Sequence, residues 1–160
     1  MAKKIKEEVR NVDSVVLKNG HVGTYAKEGI LFKLLNVPLH GQQSRSRNRI
    51  LKQISLKRDE IEKDRVSIME GYAEKEVVDG KEVVKLTEDG QYDINTEGLI
   101  KANEGYRKLM DEDYIIDILP SNKVDLRTVK TIIEESLVSF GTNDGADYDD
   151  ICEGFEVAFK

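Results

Sequence analysis

The chain has no tryptophan, one cysteine, two prolines and two histidines among its 160 residues. Each scarcity closes off a class of protein. The lone Cys152 cannot form an internal disulfide, which excludes a cross-linked secreted scaffold and points to a reducing compartment. One cysteine and two distant histidines, His21 and His40, cannot supply the ligand spacings of a zinc site. No run reaches the ~18 apolar residues of a membrane span, and the opening "MAKKIKEEVR" lacks the apolar stretch of a signal peptide. The expected location is therefore cytoplasmic, with no membrane contact. No phosphate-cradling GxxxxGK[ST] or GxGxxG pattern occurs, since Gly20, Gly23 and Gly29 are scattered.

Catalytic chemistry is equally thin. Cys152 falls on the apolar side of a C-terminal segment, where a core thiol is the simpler reading. "NDGADYDDICE" has a calcium-loop composition, but Asp144, Asp147, Asp149 and Asp150 are wrongly spaced for an EF-hand. The expectation is a non-enzymatic protein with no catalytic residues, no metal and no cofactor.

What the chain does have is charge, 35% of residues against 39% hydrophobic, which suits a small helix-rich protein with a modest core. The charge is unevenly placed. Residues 1–50 carry ten Lys/Arg against four Asp/Glu, residues 51–110 eleven against fourteen, and residues 111–160 four against thirteen. Either the two ends neutralise each other within the fold, or a basic surface serves an anionic partner while an acidic segment guards it.

A single domain spanning 1–160 is expected, with residues 1–12 as a frayed lead-in and 142–160 as an acidic C-terminal segment. Ser14 to Leu17 reads as a strand closed by an Asn19-Gly20 turn. Val22, Tyr25, Ala26, Phe32 and Leu35 recur at rough helical spacing, ended by Pro38, with "LHGQQ" as a loop. The firmest element is a long amphipathic helix over about 44–75. Its stripe holds Ile50, Ile54, Ile61, Ile68, Met69 and Tyr72, and its opposite face Lys52, Asp59, Lys63, Ser67, Glu70 and Glu74. "KEVVDGKEVVKL" predicts a β-hairpin over about 76–86 around Asp79-Gly80. A short strand at Tyr92–Ile94 follows, then a helix capped by Thr96 running to Met110, and the strand "DYIIDILP" ended by Pro120. A helix with Asp125 as N-cap and Gly141 as stop is next, then a short closing helix over Tyr148, Ile151, Cys152, Phe155 and Val157. The fold class is α+β: mostly helical, with the hairpin and a small antiparallel sheet.

Three groups of charged residues are candidate sites. Arg45, Arg47 and Arg49 open the long helix; on a helix Arg45 and Arg49 share a face and Arg47 points nearly opposite. Arg58 and Arg65 fall inside the apolar stripe, where guanidiniums need partners, and Asp or Glu from 111–156 are the expected ones. Asp147, Asp149, Asp150 and Glu153 make the acidic C-terminal surface.

The segments "LKNG", "GQQSRSRNRILKQI" and "KDRVSIMEGYAEKEVVDGK" give the chain a likeness to a known group. In order and spacing it resembles small uncharacterised proteins of tailed phages (siphophages) of Gram-positive bacteria. Shared features are the Leu-Lys-Asn opening, a Ser-x-x-Arg entry to a long helix, Asp64-Arg65, and Tyr72-Ala73 running into a hairpin. The resemblance covers about residues 15–110 and implies an origin in a phage, hence in host cytoplasm or a virion; it implies no mechanism.

The expected function is a phage-type interaction protein acting through a charged surface. It would serve as a virion or assembly component, with a homo-oligomer possible, or as an antagonist of a host factor. The alternative is a nucleic-acid-binding accessory protein using the basic N-terminal third, whose affinity would fall steeply with salt.

Overall fold

The computed structural model describes residues 13–160; the expected lead-in at 1–12 lies outside the described residues. Ten elements follow in order: β1 (Ser14–Lys18), α1 (Asn19–Val22), α2 (Ile30–Leu35), α3 (Gly41–Tyr72), β2 (Lys75–Val78), β3 (Lys81–Val84), α4 (Thr96–Asp111), β4 (Asp113–Asp117), α5 (Lys123–Glu134) and α6 (Thr142–Ala158). The class is α+β, with two two-stranded antiparallel sheets, β1–β4 and β2–β3. Contacts sort the described chain into two compact units. One holds residues 13–17, Ile30–Lys52 and Asp113–Lys160; the other holds Lys18–Gly29 and Gln53–Glu112.

In the first unit, β1 and β4 alternate as half-buried strands should. Val15, Leu17, Tyr114 and Ile116 point inward, while Val16 and Ile115 are exposed. The Ile118 amide donates to the Asp13 carbonyl (2.8 Å) at one end of this ribbon. Helix α2 is only six residues long but buries Ile30, Leu31, Phe32, Leu34 and Leu35, leaving Lys33 alone exposed, the pattern of a largely interior helix. It packs against α5, through Leu126, Val129, Ile132 and Ile133, and against α6, through Ile151 and Phe155.

The second unit is built on α1, α4 and the later turns of α3. Asn19 donates from its side chain to the Leu109 carbonyl (2.9 Å), and its amide reaches the Glu112 carbonyl (2.9 Å), fastening α1 to the end of α4. Ile54 and Ile61 of α3 are buried, as is Ala102 of α4, and Gly105 lets α4 approach Ile68 closely. The hairpin has the register Lys75↔Val84 to Val78↔Lys81, with Asp79 (φ 51°) and Gly80 (φ 75°) both left-handed, as a type I′ turn requires. Every residue of β2 is exposed, and of β3 all but Val84, so the arm is steadied from its base. There the Glu74 amide donates to Asp93, Lys85 to Glu74 and Asp93 to Lys85.

Several sequence expectations are corrected. Asn19-Gly20 is not a turn: it opens α1, where His21 Nδ1 accepts the Lys18 amide (3.0 Å). The helical spacing from Val22 to Leu35 is interrupted. Gly23 sits at φ 78°, and a Cβ on Gly29 would lie 2.1 Å from the His21 carbonyl oxygen, so residues 23–29 form a tight loop bridged at Gly23↔Glu28. Tyr25 and Ala26 are exposed on that loop. Helix α3 begins at Gly41, inside the expected loop, and stops at Tyr72; of its stripe only Ile50, Ile54 and Ile61 are fully buried, Ile68 and Met69 are half-buried and Tyr72 is exposed. The strand at Tyr92–Ile94 reduces to one bridge, Leu86↔Tyr92. Asn95, not Thr96, caps α4, accepting the Gly98 amide at 2.8 Å. Asp125 lies within the first turn of α5, and Gly141 precedes α6 rather than stopping α5. The closing helix is 17 residues long, not short.

Candidate partner-binding surface

The Ser-Arg-Ser-Arg-Asn-Arg run falls on the first turns of α3, and helical spacing sends its three guanidiniums to different tasks. Arg47 Nη1 donates to two carbonyls at the end of α2, that of its last residue Leu35 and that of Val37, each at 2.7 Å, and its Nε donates to Asn48. It thereby satisfies acceptors that a helix terminus leaves open. Arg49 pairs with Asp125 at 3.0 Å; the Asp125 side chain is 8% exposed, so this is the ion pair that ties the basic cluster to the acidic third. Arg45 is exposed. The fold thus divides the cluster instead of presenting it as one basic stripe.

Arg58 and Arg65 both find partners. Arg58 lies 4.3 Å over the Tyr25 ring and 3.9 Å from Glu28, both on the 23–29 loop. The Tyr25 hydroxyl donates to Asp59, a bond that holds the phenol above its ordinary pKa. Arg65 donates through Nη2 and Nε to Glu62 Oε1 at 2.6 and 3.2 Å, which holds the Glu62 carboxyl below its usual range. Its acid therefore comes from its own helix, one turn back, and not from 111–156. An i,i+3 neighbour needs no chain rearrangement to reach, and so outcompetes a remote carboxylate.

The acidic C-terminal segment folds as α6, and its two sides are distinct. Inward, Ile151 and Phe155 are buried, Tyr148 stacks on Phe140 (centroids 5.0 Å apart), and the Tyr148 hydroxyl donates to the Ile133 carbonyl (2.8 Å). Burial pushes the Tyr148 phenol up to about 12 and raises the Cys152 thiol as well. Gly154 brings the helix against β1: a Cβ there would stand 2.7 Å from the Val16 carbonyl oxygen. Outward, Asp149, Asp150, Glu153 and Glu156 lie within an arc of about 120° at helical spacing. All four are exposed, and among the described residues none is in an ion pair. Exposed Val157 completes this side.

Of the acidic candidates, the helix therefore brings Asp149, Asp150 and Glu153 together, with Asp147 half-buried at the margin and its carboxylate within 4.8 Å of that of Asp150. Asp144 is off the face and pairs with Lys33 at 3.6 Å. Glu156 is the member that sequence reasoning missed; extending the 3.6-residue period one more turn from Glu153 finds it. The histidines occupy different settings, His21 buried in α1 and His40 exposed before α3.

No helix among the described residues is long and apolar enough to cross a membrane. No protein-family model, curated protein or solved structure matches the chain.

Proposed function

We propose that this chain is a small non-enzymatic interaction protein whose contact surface is the exposed face of α6, presented to a basic patch on a partner protein. The observation that carries the reading is the set of four exposed carboxylates, Asp149, Asp150, Glu153 and Glu156, with no ion pair among the described residues. Like charges at i,i+3 and i,i+4 destabilise an isolated helix by a few tenths of a kcal/mol per pair. A basic partner would turn that repulsion into attraction and speed encounter. The resemblance to small phage proteins makes the partner a host factor or another phage component. The nucleic-acid reading loses support because Arg47 is bound to backbone carbonyls and Arg49 to Asp125.

The test is a tagged pull-down from bacterial lysate with and without nuclease, read by mass spectrometry, with an Asp149→Lys/Glu153→Lys variant and an Arg45→Glu variant beside the wild type. The expected result is one protein retained by the wild type and by Arg45→Glu, released by salt, and lost with the α6 variant. Capture that the α6 substitutions do not change, or that nuclease abolishes, overturns the reading.

A further inference from the structure

In the first unit, a cleft of about 570 Å³ opens where the β4–α5 loop meets the end of α6. Its apolar lining is Ile118, Leu119, Pro120, Ala158 and Phe159, and its charged side chains are Lys123, Arg127 and Lys160 against Asp13. In a chain of net charge −6, a concavity whose lining side chains sum to +2 is a local inversion of sign. Among the described residues none of the three cations is in an ion pair, although acidic side chains outnumber basic ones, 31 to 25.

Arg127 is also held in a useful pose. Its guanidinium lies 5.7 Å from the centre of the Phe159 ring, within reach of a cation–π attraction that keeps the charge at the cleft. Lys123 is four residues earlier on α5, hence on the same side of that helix. It is also the first residue of α5, where helix polarity favours negative charge.

The wall of the cleft is pre-built. Asn122 does not cap α5; instead its Oδ1 accepts the Leu119 amide (2.8 Å) and its Nδ2 donates to the Asp117 carbonyl (2.9 Å). The Asn122 and Lys123 amides both return to the Leu119 carbonyl (3.1 and 2.9 Å), and Ser14 donates to the Asp117 carboxylate (2.7 Å). Leu119 is thereby held 45% exposed at the cleft, an apolar side chain fixed in place rather than folded away. A pocket of a few hundred Å³ with an apolar body, a few convergent charged groups and little left to order on binding is the usual form of a small-ligand site.

We propose that this cleft binds an organic anion with an apolar body, its carboxylate or phosphate engaged by Lys123 and Arg127 and its hydrocarbon part laid on Leu119, Pro120 and Phe159. The site is independent of the α6 acidic face and stands or falls separately from it.

The experiment titrates the full chain with octanoate and with octyl phosphate, following backbone amide resonances, with octanol and inorganic phosphate as comparators. The expected result is saturable shifts at Lys123, Arg127 and Phe159 with one or both octyl anions, and binding of each comparator weaker by about tenfold or more, the loss that goes with one charge-assisted contact. Lys123→Ala/Arg127→Ala should lose about tenfold or more in affinity while keeping the wild-type melting temperature, because both residues are exposed. Asp13→Asn should tighten binding. Absence of saturable shifts with either anion at millimolar concentration overturns the proposal. So does octanol binding as well as the anions, or a double variant that binds like the wild type.

Discussion

Gly154 and Gly145 lie on the same helix, and alanine at each should move stability in opposite directions. At Gly154 the new Cβ would meet the Val16 carbonyl oxygen at 2.7 Å and Leu17 Cδ2 at 3.2 Å, whereas at Gly145 nothing lies within 4 Å. The Val16 oxygen is backbone in a paired strand, so relief requires the helix or the strand to shift. Overpacking of this kind costs about 1–3 kcal/mol, and a backbone obstacle belongs at the upper end. Helix propensity returns about 1 kcal/mol on replacing glycine, leaving Gly154→Ala destabilised by about 2 kcal/mol and Gly145→Ala stabilised by about 0.5–1. For a chain of this size 1 kcal/mol is about 2–4 °C, so the two variants should melt about 5–12 °C apart. Thermal unfolding followed by circular dichroism at 222 nm, checked by urea midpoints, measures the gap. Equal melting temperatures, or a more stable Gly154→Ala, would refute the close packing of α6 on β1.

Arg47→Ala should cost about 2–3 kcal/mol by urea unfolding, since it removes charge-assisted bonds to two carbonyls, while exposed Arg45→Ala should stay within about 0.5 kcal/mol. Glu62 is more acidic folded than unfolded because Arg65 faces it, so its contribution is fully present above about pH 5 and is lost as pH falls through the folded value. Glu62→Gln should therefore lose less stability than wild type between about pH 5 and 3, seen in midpoints measured across that range. Tyr148 has the opposite sign: its neutral form is favoured by burial, so its contribution is present below pH ~10 and lost on the way to ~12. Absorbance at 295 nm should show a late phenol step that Tyr148→Phe removes.

The parts of the fold legible in the sequence are those fixed by local chemistry. Asp79-Gly80 flanked by two Lys-Glu-Val-Val runs can hardly be anything but a hairpin, and the isoleucines at 50, 54 and 61 mark the buried side of α3. What failed depended on approaches between segments. Gly23 and Gly29 look like weak residues in a helix, but Gly23 takes a left-handed φ of 78° and a Cβ on Gly29 would meet the His21 carbonyl, a contact invisible along the chain. Asp125 has the identity of an N-cap but lies in the first turn of α5, and its use as the partner of Arg49 is a matter of tertiary distance. Ion-pair partners are the least legible of all, since a carboxylate one helical turn away competes with every acidic residue elsewhere. Arg65 took the near one, and Arg49 the far one. Likewise Lys123 and Arg127 are ordinary helix-surface residues in sequence; only the fold sets Phe159 beneath one of them.

The acidic face and the basic cluster therefore differ in what mutation can reveal about them. In the cluster, Arg47 and Arg49 are bonded to groups the fold needs, so removing them confounds loss of binding with loss of structure. On α6 the two roles are spatially divided. Ile151, Phe155, Tyr148 and Gly154 hold the helix, while Asp149, Asp150, Glu153 and Glu156 are exposed and in no ion pair among the described residues. Replacing one of those carboxylates by lysine relieves like-charge repulsion at i,i+3 or i,i+4, so the helix should gain slightly in stability. A loss of binding in such a variant then belongs to the surface itself. Because this face lowers the stability of its own helix and lies off its buried side, the binding proposed for it can be separated from folding by charge reversal alone.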